Sequence, residues 1–187
     1  MSASLEREIK LRVDSTESAR RVVVAAGGRL VHPRRLQSDA VLDDLAGSLK
    51  GAGCALRVRT EPGRCFLTYK GPPQPSTMKL REELETPVGD PAILFTLLER
   101  LGYRITFRYE KYREEFAVDD VLVAVDETPV GSFLEIEGTD EGITRTASKL
   151  GHGPHQYVVD SYRTLFMRRC LEQGVEPGDM LFERSRR

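Results

Sequence analysis

Apolar and polar positions alternate along much of this chain, and each run of alternation predicts a strand. Leu5 to Val13 alternates first, and Leu36 to Leu42 forms a weaker run. Cys54 to Thr60 and Arg64 to Lys70 flank Glu61-Pro62-Gly63 and read as a hairpin. Met78 to Thr86, Ile105 to Val118, Val121 to Asp126 and Ser132 to Gly138 complete the strands, with a turn at Asp119-Asp120. Helical periodicity covers Thr16 to Ala26, capped by Ser15 or Thr16 and closed by Gly27-Gly28. It returns after Asp90-Pro91, where Asp suits the cap and Pro the first turn, and Gly102 ends it. In that helix Ile93, Leu94, Leu97, Leu98 and Leu101 form an apolar stripe expected to pack in the core. Thr139 to Leu150 and Asp160 to Gln173 read as further helices. Asp44 to Gly53 and the proline-rich Gly71 to Thr77 read as loops. Roughly eight strands with three or four helices predict an α+β fold. With no repeat or compositional break, residues 1–173 are expected to form one domain. The 174–187 tail has no clear period, and its basic end is expected to lack order.

The parity of the strands carries the chemistry. In LEREIKLRV the residues Glu6, Glu8, Lys10 and Arg12 share one face, and Ile9, Leu11 and Val13 the other. Arg57 and Arg59 oppose Leu56 and Val58; Thr68 and Lys70 oppose Leu67 and Tyr69. Arg81, Glu83 and Glu85 share a face, as do Lys111 and Arg113. The seventh strand ends at Asp126, and SFLEIEG sets Glu135 and Glu137 opposite Leu134 and Ile136. Like charges recur two residues apart, at roughly 6.6 Å, a spacing that is costly without counter-ions. For any one strand, an antiparallel sheet showing its charged face to water explains the alternation. For the whole set, a sheet closed into a barrel, charges inward and helices outside, explains it better. Segregated inside, the acids suit a hard divalent cation such as Mg²⁺ or Mn²⁺, and the bases suit phosphate oxygens. A metal-chelating substrate with several linked phosphates satisfies both, and the chain contains no Gly-rich P-loop.

Bulk composition removes other classes. The 187 residues are 40% hydrophobic and 30% charged with a formal net charge of -1, which indicates no field for nucleic acid. Cys54, Cys65 and Cys170 form no C-x-x-C pair, which argues against a disulfide framework or zinc knuckle and fits a reducing compartment. The N-terminus lacks the pattern of a signal peptide, and no apolar run approaches the roughly 20 residues of a membrane span. A cytoplasmic protein without nucleic-acid or membrane partners is the expectation, and a homodimer is compatible with it.

The ordered charges resemble the CYTH superfamily, the triphosphate tunnel metalloenzymes, from about Leu5 to Phe166. Glu6, Glu8 and Lys10 look like its Glu-x-Glu-x-Lys signature. Arg57 and Arg59 look like its paired arginines, and Lys70 in LTYKGP like its fourth-strand lysine. REELE, EKYRE and VDETPVGSFLEIEG resemble its later strands. The resemblance implies an eight-stranded antiparallel tunnel, a bound triphosphate and one or two divalent metals. It assigns the metal to Glu6, Glu8, Asp126, Glu135 and Glu137. Phosphate falls to Lys10, Arg57, Arg59, Lys70, Arg81, Lys111 and Arg113. Glu6, Glu8, Lys10 and Lys70 are the candidate catalytic residues. Glu83 and Glu85 either join a metal site or orient the basic residues.

The reaction is less specified. Where many members carry a tyrosine on the second strand, QSDAVLDD places Val41, which weakens a triphosphatase reading. DSYRTLF, with Ser161 and Tyr162, resembles the class IV adenylyl cyclase ending, and TYKGP and LEIEG lean the same way. Conversion of ATP to cyclic AMP and pyrophosphate is therefore the first reading. Hydrolysis of tripolyphosphate, thiamine triphosphate or a nucleoside triphosphate is the alternative, and a non-catalytic polyphosphate- or nucleotide-binding module the third. His32, His152 and His155 are expected in loops, Arg168 and Arg169 as solvated charges, and Cys54 and Cys65 in strands as unreactive thiols.

Overall fold

The computed structural model describes residues 4–183. Eight strands close into one barrel in the order β1-β5-β4-β3-β2-β6-β7-β8, every neighbouring pair antiparallel. They are β1 (Ser4–Val13), β2 (Arg29–Asp43), β3 (Ala55–Glu61), β4 (Arg64–Lys70), β5 (Lys79–Pro87), β6 (Arg104–Val118), β7 (Val121–Thr128) and β8 (Gly131–Glu137). Helices α1 (Thr16–Ala25), α2 (Ser48–Gly51), α3 (Pro91–Arg100), α4 (Asp140–Lys149) and α5 (Tyr162–Gln173) surround it. The expected closed tunnel with a polar interior is therefore present. Closure removes the unpaired edges an open sheet would leave. It also turns one parity of every strand inward and the other toward the helices.

The outward parity builds the core. Ile9 and Leu11 of β1 are fully buried with Ala19 and Val23 of α1 and Ile143 and Ala147 of α4. Ser15, Asp90, Thr139 and Ser161 cap α1, α3, α4 and α5 through their side chains, which satisfies backbone N–H groups at each start. The return from α1 into β2 is tight: a Cβ on Gly28 would sit 2.7 Å from the Val23 carbonyl oxygen. No helix among the described residues is long and apolar enough to cross a membrane.

Several local expectations are corrected. β2 begins at Arg29 rather than Leu36 and contains His32, because a register shift between His32 and Arg35 accommodates Pro33 within the strand. Cys54 precedes β3, and Ser48–Gly51 forms a helical turn within the expected loop. Of the α3 stripe only Leu98 is buried; Ile93, Leu97 and Leu101 are 59%, 55% and 73% exposed. The tail docks on the barrel. β7 pairs β6 only from Tyr112 onward, so Met180 pairs beside Tyr109 along the free stretch, and its side chain is fully buried. Arg184, Ser185, Arg186 and Arg187 lie outside the described residues. Arg168 is paired with Asp160 at 2.9 Å rather than merely solvated.

Candidate functional site

The inward faces enclose a cavity of about 1310 Å³ lined by nearly all the charged residues singled out in the sequence. One wall is acidic. β1 lies between β5 and β8, so Glu8 sits opposite both Lys79 and Glu137, and Lys10 sits opposite Glu135. Lys10 Nζ is 2.6 Å from Glu8 Oε1 and 3.2 Å from Glu135 Oε2. Lys79 Nζ donates to the same Glu8 oxygen at 2.5 Å. Lys70 Nζ bridges Glu6 at 2.7 Å and Glu83 at 2.5 Å. Glu85 accepts from Thr68 Oγ1 at 2.8 Å and lies 3.5 Å from Arg57.

The acids of this wall do not all ionise together. Burial, a hydrogen bond with Glu83 and the nearby Glu8 charge push Glu6 up to about 8. Burial opposes ionisation of Glu83 too, but the Glu6 hydrogen bond and the Lys70 charge hold it low, so the pair shares one proton. Partial burial and the charges of Glu135, Glu8 and Glu83 push Glu137 up to about 7. Glu8 stays below the usual range: burial and Glu135 oppose its charge, but Lys10, Lys79 and Lys70 outweigh them.

The opposite wall is basic. Arg57 and Arg59 of β3 reach one oxygen of Asp39 at 3.5 and 2.9 Å. On β6, Lys111 and Arg113 converge on Asp126, which is fully buried behind the lining. Arg113 Nε donates to Asp126 Oδ1 at 2.7 Å and its terminal nitrogen to Oδ2 at 2.6 Å. Lys111 Nζ and the Tyr162 hydroxyl donate to Oδ2 at 3.0 and 2.7 Å. Arg113 also reaches Glu135 at 2.6 Å, and the Tyr162 ring lies 5.2 Å from both Lys10 Nζ and Lys111 Nζ. Burial and the Arg113 charge bring Lys111 down to about 8, against Asp126 and Glu135.

Glu6, Glu8, Glu83, Glu135 and Glu137 thus gather in one region, and Lys10, Arg57, Arg59, Lys70, Lys111 and Arg113 border the same cavity. Two residues are placed differently from the set they were grouped with. Asp126 has both oxygens committed to cations and Tyr162, so it orients bases. Arg81 donates to the carbonyls of Gly53, Lys70 and Gly71, so its guanidinium braces the wall. The sequence reading passed over Lys79, Asp39 and Tyr109. Lys79 shares the parity of Arg81 and Glu83, and Tyr109 that of Lys111 and Arg113, so extending each alternation by one step finds them. A further buried network, with Arg35 held by Glu61 at 2.8 Å and by Glu115 at 2.5 Å, joins β2, β3 and β6. His32 belongs to it, with Nδ1 3.0 Å from Glu115.

The acidic wall fits a hard cation in its chemistry: its donors are carboxylate oxygens, and burial together with neighbouring carboxylates raises Glu6 and Glu137. Among the described residues, no group of three or more His, Cys, Asp or Glu side chains converges as a ready cation site. Lys10, Lys70 and Lys79 stand between the acids instead.

The CYTH domain family matches residues 4–150. The chain belongs to the CYTH family. A Methanocaldococcus jannaschii protein provisionally named an adenylate cyclase is 28% identical over 134 residues, 71% of this chain and 76% of its own length. The X-ray structure of a Vibrio parahaemolyticus protein, also provisionally named an adenylate cyclase, superposes with a TM-score of 0.76 at 20% identity. It covers 89% of this chain and 99% of that one. A Hippeastrum protein provisionally named an adenylyl cyclase, for which a dominant triphosphatase activity is described, superposes at 0.62 with 18% identity. It covers 94% of this chain and 98% of that one. In this CYTH chain α5 and the tail follow the matched stretch, yet Tyr162 completes the shell around Asp126.

Proposed function

We propose that this CYTH protein is a divalent-cation-dependent enzyme that draws a triphosphate into the tunnel, with class IV adenylyl cyclase chemistry, ATP to cyclic AMP and pyrophosphate, as its reaction. The observation that carries the reading is the apposition, across one cavity, of a wall of clustered glutamates and a wall of buried arginine and lysine. At about 1310 Å³ the cavity has room for a whole nucleotide as well as its phosphates. The provisional name of the Methanocaldococcus relative points the same way.

Glu6, Glu8, Glu135 and Glu137 would hold Mg²⁺ or Mn²⁺, which when bound neutralises phosphate oxygens and lowers the pKa of an attacking hydroxyl. Arg57 and Arg59 present forked donors to phosphate oxygens, and Lys10 and Lys111 add point charges. Asp126 and Tyr162 fix Lys111 and Arg113 before substrate arrives, so little reorganisation is needed as charge develops on the leaving pyrophosphate. The ribose 3′-hydroxyl gives its proton to solvent and its oxygen bonds to the α-phosphorus while the bond to the bridging oxygen breaks and pyrophosphate leaves.

Triphosphate hydrolysis is the second reading. The Hippeastrum protein with the same fold and a dominant triphosphatase activity favours it, since the fold accommodates that chemistry. Incubation with ATP, tripolyphosphate and thiamine triphosphate, each with Mn²⁺, Mg²⁺ or chelator, tests both. Cyclic AMP with equimolar pyrophosphate supports the first reading and orthophosphate the second. A ligand-induced rise in melting temperature without turnover leaves only a binding module.

A further inference from the structure

Glu6, Glu8, Lys10 and Arg12 share one face of β1, but only the first three reach the tunnel. Arg12 borders a separate recess of about 460 Å³ between the β7–β8 turn and the last turns of α5, which shares no lining residue with the tunnel. Phe133 stands between the two spaces. The Arg12 guanidinium lies 4.9 Å from its ring centre, and the same ring meets that of Tyr162, a tunnel residue, at 5.3 Å. Arg168 and Arg169 of α5 line the recess with Arg12.

The β7–β8 turn holds two of these guanidiniums together. Arg12 Nη1 donates to the Val130 carbonyl at 3.4 Å and Arg169 Nη1 to the Pro129 carbonyl at 3.2 Å, so consecutive carbonyls orient both. Thr128 pins the turn: its hydroxyl donates to the Gly131 carbonyl at 2.8 Å and accepts from the Val130 N–H at 3.2 Å. Gly131 has a φ of 125°, and a Cβ there would stand 3.2 Å from Arg12 Nη1, so glycine leaves room for the guanidinium. Neutral carbonyls orient these cations without cancelling their charge. Neither Arg12 nor Arg169 makes an ion pair among the described residues, whereas Arg168 pairs with Asp160. Glu172 borders the recess and pairs with none of the three. Like charges held side by side without a counter-ion repel, and an anion seated between them relieves the cost.

We propose that this recess is a second anion site, distinct from the tunnel, and that it takes inorganic pyrophosphate. Two planar forks match two linked phosphate groups, and each guanidinium keeps most of its N–H donors after its bond to the turn. The apolar lining is Val130 and Leu165, with no aromatic face on which a base could stack, so the phosphates alone are read. The site stands whether or not the tunnel performs the chemistry proposed for it.

Calorimetric titration of the full chain with inorganic pyrophosphate, with chelator and about 0.15 M salt, tests this. The expected dissociation constant is below about 1 mM. The double variant Arg12→Gln, Arg169→Gln should lose one equivalent from the wild-type stoichiometry, while Arg57→Ala reports on the tunnel's own equivalent, so failure of one site is distinguishable from failure of the other. Each single variant should weaken the recess about tenfold, and Arg12→Lys nearly as much, because lysine offers no fork. Glu172→Gln, an exposed change away from the core, should tighten binding about threefold by removing a like charge from the anion's surroundings. Arg20→Gln on α1 should change nothing, and orthophosphate should bind at least tenfold more weakly. A wild-type chain that binds no pyrophosphate, a double variant that binds as many equivalents as the wild type, a Glu172→Gln chain that binds no better, or equal affinity for orthophosphate overturns the proposal.

Discussion

Around Asp126 every charge has a partner, whereas the wall formed by β1, β5 and β8 holds six acids, Glu6, Glu8, Glu83, Glu85, Glu135 and Glu137, against Lys10, Lys70 and Lys79, with Arg57 and Arg113 reaching in from the neighbouring wall. Both regions are built from the same residue types, but Asp126 is fully buried whereas Glu137 lies at the exposed rim of the acid wall. Two bases and a tyrosine saturate one carboxylate in the first, and its acid stays low. In the second, adjacent strands place glutamate opposite glutamate, as Glu8 with Glu137, and protons fill the deficit. Saturation makes a rigid framework, and the proposed cation would relieve the repulsion left in the acid wall.

The largest effect that tests this contrast is on stability. Asp126→Asn should destabilise the fold by about 3–5 kcal/mol in urea denaturation, because it strands buried Arg113 and Lys111. Glu137→Gln in the metal-free protein should be neutral or stabilising; equal losses for both would erase the distinction. Next in size, Glu8→Gln should lower cation-dependent turnover at least 100-fold, about 2.7 kcal/mol, and should cost less stability than Asp126→Asn, because Lys10 keeps Glu135 as a partner when Glu8 is lost. Near-normal turnover would remove Glu8 from the cation site. Arg57→Ala should weaken triphosphate binding about tenfold and monophosphate binding less, measured by calorimetry; equal losses would move Arg57 away from the phosphate chain. The smallest effect is a pH response. Glu6 and Glu137 bind protons more tightly folded than unfolded, so their contribution is complete below the ordinary carboxylate range and is lost as pH rises through about 7 to 8. The metal-free protein should therefore melt several degrees lower at pH 7.5 than at pH 5.5, and saturating Mn²⁺ should narrow the difference while releasing protons. A flat profile would show that these acids ionise normally.

Much of the tunnel was legible because strand parity is a property of neighbouring residues. Glu6, Glu8 and Lys10 had to share a face once their segment was extended, and the same holds for Arg57 with Arg59 and Glu135 with Glu137. Pro33 obscured the first half of β2, since a proline reads as an interruption unless a register shift accommodates it. The α3 stripe was legible as apolar but not as outward, because periodicity reports a face and not what covers it. The tail carries no period, and its order comes from a vacant stretch of β6 far away in sequence.

Alternation along each segment determined that this chain builds strands with one charged and one apolar face, and residue type determined that those faces suit cations and phosphates. Which charges meet was decided by barrel closure, since the pairing of β1 with both β5 and β8 depends on shear and register across the whole sheet. Closure made Asp126 a buried anchor and set Glu6 and Glu137 among other carboxylates, because an ion's behaviour is set by neighbours in space and by how little water remains among them.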